Sequence, residues 1–508
     1  MLSKIISCAL FGIDGNRIDV EVDISNGMPA FDIVGLPDSA VKESKERVKT
    51  AIKNSNISFP VKRITVNLAP ADIRKEGPSF DLPIAVGILS CMGIINIKST
   101  EKFMFTGELS LDGTIKPING ILPMIFSIYN EGIKNFIVPF ENRNEASLIK
   151  GANIFPVKNI NELIDFLKNN NIKPYVNNIS ENIQKSSSYN LDFSDVKGQE
   201  NVKRAMEIAA AGYHNILMIG PPGSGKTMMA KRLPSIMPPL SFEECINITK
   251  IYSVAGLLKD KNYLLKERPF RSPHHTISSA ALAGGGRIPR PGEVSLATGG
   301  ILFLDELPEF SRSSLEVLRQ PLEDKTVTIS RAQGILTYPA DFMLVAAMNP
   351  CPCGYYGTDD RCHCTDNEII KYTHKISGPL LDRIDIQVEA SQINYDDFEN
   401  YSKTETSEDI LKRVIKAHNI QKKRFENENI LFNSQMSPAQ IEKFCVLGKN
   451  EKAIIKRAFE ALKMSARGYH KTLKIARTIA DIDNSENITV KHIGEAIQYR
   501  NLDRNYFE

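Results

Sequence analysis

Asn215-Ile-Leu-Met-Ile-Gly-Pro-Pro-Gly-Ser-Gly-Lys-Thr-Met-Met-Ala230 is the stretch whose reading decides the fold. An apolar run ends in a Gly- and Pro-rich turn, and helix-forming residues follow. Gly220-Pro221-Pro222-Gly223-Ser224-Gly225-Lys226-Thr227 has the phosphate-loop pattern. Glycines let successive N–H groups curl around an anion, and the following helix turns its positive end to the same phosphates. Lys226 is expected to reach the β- and γ-phosphates, and the Thr227 hydroxyl to ligate Mg²⁺. An incidental Gly-rich turn is the alternative. The strand before it, the helix after it and the full eight-residue pattern favour a site for ATP with Mg²⁺.

Working outward, Gly300-Ile-Leu-Phe-Leu-Asp305-Glu306 is an apolar strand ending in two acids, ~80 residues beyond the loop. Asp305 is expected to hold Mg²⁺ through water, and Glu306 to orient and deprotonate the attacking water. A buried strand capped by solvated acids is the bland alternative. Phe342-Met-Leu-Val-Ala-Ala-Met-Asn349 is a further buried strand, ending in an amide that either caps the strand before Pro350 or serves the site.

In this order the strand ends resemble the Walker B and sensor 1 positions of AAA+ ATPases. The resemblance implies that Asn349 hydrogen-bonds the attacking water or the γ-phosphate. Gly378-Pro-Leu-Leu-Asp-Arg383-Ile-Asp-Ile resembles the arginine-finger segment of AAA+ ATPases of the magnesium chelatase and MCM type. There Arg383 would serve a neighbouring subunit's ATP; a local ion-pair cluster is the alternative. In Met464-Ser-Ala-Arg467-Gly-Tyr-His-Lys-Thr-Leu-Lys-Ile-Ala-Arg477, expected on a helix, Arg467 matches the sensor 2 position. Arg477 is less well placed, and an ordinary surface arginine is the alternative.

The 508-residue length implies two to four domains. A formal charge of +3 neither demands nor excludes nucleic acid, so any basic surface is local. The N-terminal apolar run weakly mimics a signal peptide but continues as a strand pattern. Leu82 to Ile97 is shorter than a ~18-residue span and carries Pro83, Gly87 and Gly93, so a buried helix is expected, not a membrane segment. A cytoplasmic protein with eight reduced cysteines follows.

Four segments are expected: an α+β domain over 1–168, a polar linker over 169–194, the ATPase domain over 195–392 and an all-α lid over 393–508. In the first, Arg17 to Ile24, Arg63 to Leu68 and Phe136 to Val138 read as strands, and Asp38 to Ser55 as an amphipathic helix. Arg74-Lys-Glu-Gly-Pro-Ser79-Phe-Asp-Leu-Pro and Thr106-Gly-Glu-Leu-Ser-Leu-Asp-Gly-Thr-Ile-Lys-Pro-Ile-Asn-Gly120 resemble segments of Lon-type proteases. Ser79 falls at the nucleophile, but Leu122 fills the catalytic-lysine position. Lys116 is nearby, but Pro117 and Pro123 stiffen the segment that follows it. The expectation is a Lon-protease-like (ribosomal S5 domain 2-like) fold without peptidase activity.

Two insertions decorate the motor. Arg268-Pro-Phe-Arg271-Ser-Pro-His274-His275 through Gly286-Arg287-Ile-Pro-Arg290 is rich in arginine, and is expected to face an anionic partner. Its histidine pair is a satisfied loop pair or, less readily, a metal site. Thr326-Val-Thr-Ile-Ser-Arg331-Ala-Gln-Gly334-Ile-Leu-Thr-Tyr reads as a hairpin with Arg331 near its tip. After Asn349, Cys351, Cys353, Cys362 and Cys364 lie within fourteen residues. They can close a structural Zn²⁺ site, with His363 able to replace one thiol. Disulfides are the alternative, disfavoured in a cytoplasm.

Together the Lon-like domain, Pro-Pro-Gly-Ser-Gly-Lys-Thr, Arg-Ser-Pro-His-His-Thr, Leu-Phe-Leu-Asp-Glu and Met-Asn-Pro-Cys-Pro-Cys-Gly-Tyr-Tyr-Gly resemble the ComM/YifB family of magnesium-chelatase-like AAA+ ATPases. The resemblance runs from near Met1 to about Arg500. It implies a hexameric ring ATPase acting on branched or single-stranded DNA, by branch migration or helicase-like remodelling during integration of transforming DNA. The alternative is a chelatase-type or chaperone-type ATPase that remodels a protein.

Overall fold

The computed structural model describes residues 2–169, 171–177, 191–258, 263–286, 289–331, 334–357, 361–392 and 405–500. The chain divides into two units, Met1–Asn182 with Phe242–Leu265, and Ile183–Ser241 with Lys266–Glu508.

In the first unit a seven-stranded mixed sheet runs in the order Ala30–Val34, Arg63–Ala69, Asp14–Ser25, Leu2–Phe11, Phe103–Phe105, Asn135–Pro139, Asn153–Val157. The N-terminal apolar run is therefore a strand. Period-2 alternation builds the core face: Ile18, Val20 and Val22 are all fully buried. Asp38 caps helix Ser39–Asn54 by accepting from the Val41 N–H at 2.7 Å. The apolar run after Phe80 becomes helix Asp81–Cys91, buried along its whole length. Gly87 permits that burial, since a Cβ there would fall 2.4 Å from Val22 Cγ2. Among the described residues no helix is long and apolar enough to cross a membrane.

Helix Phe242–Ala255 was expected inside the ATPase domain, because it follows the phosphate loop in sequence. In space it belongs to the first unit and packs against helix Ile121–Asn130. The Gly120 N–H donates to the Ser253 carbonyl at 3.2 Å, and the Ser253 hydroxyl donates to Glu145. The Lys250 ammonium sits 3.0 Å from the centroid of the Phe126 ring.

The second unit is built on a parallel sheet ordered Phe270–Arg271, Ile301–Leu304, Met343–Met348, Ile216–Ile219, Ile386–Glu389. The three central strands are apolar and buried at every position, as expected for a sheet covered on both faces. Its first strand in sequence lies between two later ones, so the loops following the carboxyl ends of neighbouring strands frame a crevice. The hairpin forms from Thr326–Arg331 and Gly334–Pro339, with Arg331 opposite Gly334. The glycine expected in the turn thus stands at the strand end. The five α-helices described between 405 and 500, from Ser407–Arg424 to Val490–Gln498, join the same core through Ile410, Val414, Ile475, Ile479 and Ile493.

Candidate active site

The phosphate loop leaves strand Ile216–Ile219 and enters helix Lys226–Arg232 through Gly225, whose φ of +84° is left-handed. Gly220 passes so close to the next strand that a Cβ would meet the Ala390 carbonyl at 2.2 Å. The Lys226 ammonium donates to the carbonyls of Gly220 (2.7 Å) and Pro221 (2.8 Å), to Ser224 Oγ (3.3 Å) and to Asn349 Oδ1 (3.3 Å). Burial pushes its pKa down to about 8, against the pull of Asp305 and Glu306. Gln199 braces the loop by donating to the carbonyls of Ser224 and Ser391.

Thr227 Oγ1 donates to Asp305 Oδ2 at 2.6 Å. These two hard oxygens, from residues 78 apart in sequence, fit the donor set Mg²⁺ takes beside phosphate. Glu306 follows in the left-handed region, at φ 52° and ψ 49°, a conformation costly for a residue with a Cβ. Its side chain is exposed, and Oε2 lies 3.4 Å from His275 Nδ1. His275 in turn lies against His274 (ring centroids 4.1 Å apart) and edge-on to Phe310. The sequence placed this histidine in a partner-facing loop; only the fold brings it to the acid. The pair is not part of a metal-type cluster among the described residues.

Lys226, Thr227, Asp305, Glu306 and Asn349 thus come together. Arg383 and Arg467 meet elsewhere, on one carboxylate that sequence reasoning missed. Arg383 Nη2 lies 2.5 Å and Arg467 Nη2 3.0 Å from Glu323 Oε1. Arg383 is 9% exposed, also donates to the Pro379 carbonyl, and leaves its Nε without a partner. The neighbouring acid Asp385 turns the other way, to Lys471 (3.0 Å) and His214 (3.4 Å), so the Asp-Arg-Ile-Asp run does not pair within itself. Arg477 is buried and bound to Asp481 and to the carbonyls of Ser485 and Glu486, which makes it a helix-end brace.

The four thiols converge. Sγ of Cys351 lies 3.3 Å from Cys353 and 3.8 Å from Cys362, Cys353 lies 3.6 Å from Cys362, and all four sulfurs fall within 4.8 Å of one another. Sulfurs around one tetrahedral Zn²⁺ sit ~3.8 Å apart, so the set fits that ion. The Tyr356 N–H donates to Cys351 Sγ at 3.3 Å.

The arginine-rich insertion is corrected in part. Arg268 is buried and donates to the Pro238 and Gly299 carbonyls, each at 2.7 Å. Arg271 forks onto Glu293 at 2.6 and 2.7 Å. Both guanidiniums are bonded inside the unit, Arg268 buried and Arg271 half-buried, and Arg290 is exposed. Arg287 lies outside the described residues.

In the first unit Ser79 lies in a tight turn and is 7% exposed, Leu122 is fully buried, and Lys116 is exposed. The buried acid beside Ser79, Asp81, is taken by Arg47 at 2.7 and 3.0 Å and by the Ser44 hydroxyl.

Family models described as magnesium chelatase, subunit ChlI match residues 192–398, as subunit ChlI of Mg-chelatase residues 20–142, and as the ChlI C-terminal part residues 404–500. The chain is 41% identical over 508 residues to competence protein ComM of Haemophilus influenzae, covering 99% of this chain and 98% of that protein. It is 40% identical over 508 residues to protein YifB of Escherichia coli, with the same coverage. It is also 35% identical over 128 residues to Lon protease 2 of Bacillus subtilis, 25% of this chain and 23% of that one.

Proposed function

This chain belongs to the ComM/YifB family of magnesium-chelatase-like AAA+ ATPases, and from that membership we propose an ATP-driven ring motor that remodels DNA by branch migration or helicase-like unwinding. The observation that carries the DNA part is similarity along 99% of the chain to a protein named for competence. The exposed Arg290 and the hairpin Thr326–Pro339 support it as places for a polyanion to pass. A cytoplasmic hexamer is the assembly this reading implies.

In this mechanism Lys226 leaves the Gly220 and Pro221 carbonyls to neutralise the β- and γ-phosphates, while the backbone of Gly220–Thr227 cradles them. Thr227 and Asp305 would hold a magnesium ion, which would supply positive charge beside the phosphate oxygens. Glu306 takes the proton of the attacking water, and Asn349 orients that water against the γ-phosphate. Arg383, as a finger, acts on the ATP of the adjacent subunit, which requires it to leave Glu323. Arg467, at the sensor 2 position, reports nucleotide state from the helical C-terminal region, which acts as the lid. Cys351, Cys353, Cys362 and Cys364 would hold a structural Zn²⁺.

The test is ATP hydrolysis measured with and without single-stranded, duplex and four-way DNA, together with ATP-dependent unwinding of forked DNA. No unwinding by an assembled ring removes the DNA reading. Glu306→Gln is expected to keep ATP binding and lose about 10²–10⁴ in turnover. A protein substrate is the second reading, favoured by the three chelatase-type matches. DNA binding that weakens steeply with salt separates the two.

A further inference from the structure

We propose that the cysteine knuckle is a metal-closed brace for the nucleotide site, holding both the phosphate loop and Asn349 in register. The proposal rests on the zinc reading above. The first thiol, Cys351, is two residues past Asn349 and fully buried. The chain then turns at Gly354, whose N–H donates to the Cys351 carbonyl at 3.0 Å. Gly354 has φ +89°, and it lies against the phosphate loop: a Cβ there would fall 2.7 Å from Pro222 Cδ, 2.8 Å from Pro222 Cγ and 3.8 Å from Asn349 Cγ. Gly354 thus leaves no room for a side chain between the knuckle and Pro222, with Asn349 beside it, and the Asn349 amide oxygen meets Lys226.

The far end of the knuckle returns to the same residue. One residue beyond Cys364, Thr365 caps helix Asp366–Thr373 with a reciprocal bond to Glu368. Tyr372 on that helix accepts a hydrogen bond from the Asn349 backbone. Tyr372, beyond the last thiol, and Asn349, before the first, are thus joined to each other. Cys362 meets Cys351 and Cys353 only through thiol contacts of 3.8 and 3.6 Å, which are weak links that one shared ion would replace. With four thiolates on one ion, the turn at Gly354 is held against a proline ring that cannot swing away. Pro222, which the Gly-x-x-x-x-Gly-Lys-Thr pattern does not require, then has a role as the seat of the brace.

The experiment uses the full-length protein and reads bound zinc by elemental analysis and nucleotide affinity by equilibrium titration with ATP and Mg²⁺. The protein as purified is expected to carry one zinc per chain. Removing it with a thiol-competing chelator should weaken nucleotide binding about tenfold, and adding Zn²⁺ alone should restore it. Gly354→Ala should keep its zinc yet lose about tenfold in nucleotide affinity, because the new methyl meets Pro222. Pro222→Ala in the same chain should recover the part of that loss due to the Pro222 contact and leave the part due to a Cβ at φ +89°, a coupling that independent defects do not produce. Zinc that can be stripped with no change in nucleotide affinity overturns the brace and leaves the zinc reading intact. Protein that carries no metal and gains none from Zn²⁺ overturns both. Additive effects of Gly354→Ala and Pro222→Ala also overturn the brace.

Discussion

His275 Nδ1 lies 3.4 Å from Glu306 Oε2, so the acid proposed to activate water is approached by a residue from an insertion. A carboxylate turned toward an imidazole must leave it before it can reach the attacking water. His275→Ala is expected to raise the basal ATPase rate about two- to tenfold with KM for ATP unchanged, the size of one hydrogen bond. His275→Asn, which keeps a donor at the same reach, should return the rate toward the parent. A fall in the rate of His275→Ala would show instead that the histidine assists Glu306.

Lys226, at a pKa of about 8, makes nucleotide affinity depend on pH above neutrality. The phosphates require the ammonium form. The unliganded protein loses that proton as pH rises through about 8, and binding must then restore it. Affinity for ATP should be level between pH 6.5 and 7.5 and fall toward tenfold per pH unit above about 8. A flat titration to pH 9.5 would contradict the burial argument. Lys226→Ala should remove both the binding and its pH dependence.

Arg383 and Arg467 share Glu323, which fixes what a finger must give up before it can act across a subunit boundary. Arg383→Ala should keep ATP binding and ring assembly while losing about 10³-fold in turnover. Glu323→Gln weakens the hold on both arginines, and should leave turnover intact or raised. An assembled Arg383→Ala ring with full ATPase activity would remove the finger assignment.

Glu145 is pushed up to about 7 by burial, from an ordinary 4.5, despite bonds from Ser253 and the Leu122 N–H. Between these two values the folded unit keeps a proton that the unfolded chain has lost. Stability of the first unit therefore falls as pH rises from about 4.5 to about 7 and is level above, by ~3 kcal/mol in all. Both donors go to Oε1, so the amide of Glu145→Gln can accept in the same way. That variant should show no such slope and melt higher than the parent at pH 8.

Much of the fold was legible because its signals are local. The alternation in Asp14–Ser25, the capping Asp38 and the buried strands before Gly220, Asp305 and Asn349 each sit within a dozen residues. The phosphate loop is likewise a local object: its conformation follows from its own glycines and the helix it starts. The Asp305 and Asn349 partnerships were readable because each closes an apolar strand, and parallel strands of one sheet end at one edge.

What the sequence by itself determined was thus the set of elements and the residues at their ends. Tertiary structure alone decided which of those ends meet. Helix Phe242–Ala255 carries an apolar side that any unit could bury, and only its packing against Ile121–Asn130 assigns it to the first. Arg268 and Arg271 read as free charges until the fold supplies the Pro238 and Gly299 carbonyls and Glu293. His275 and Glu306, and Arg383, Arg467 and Glu323, are single polar side chains with no periodicity to announce a partner. Backbone propensity and hydrophobic period act over a few residues, whereas a hydrogen bond is made only once folding has paid the entropy of bringing distant groups within ~3 Å.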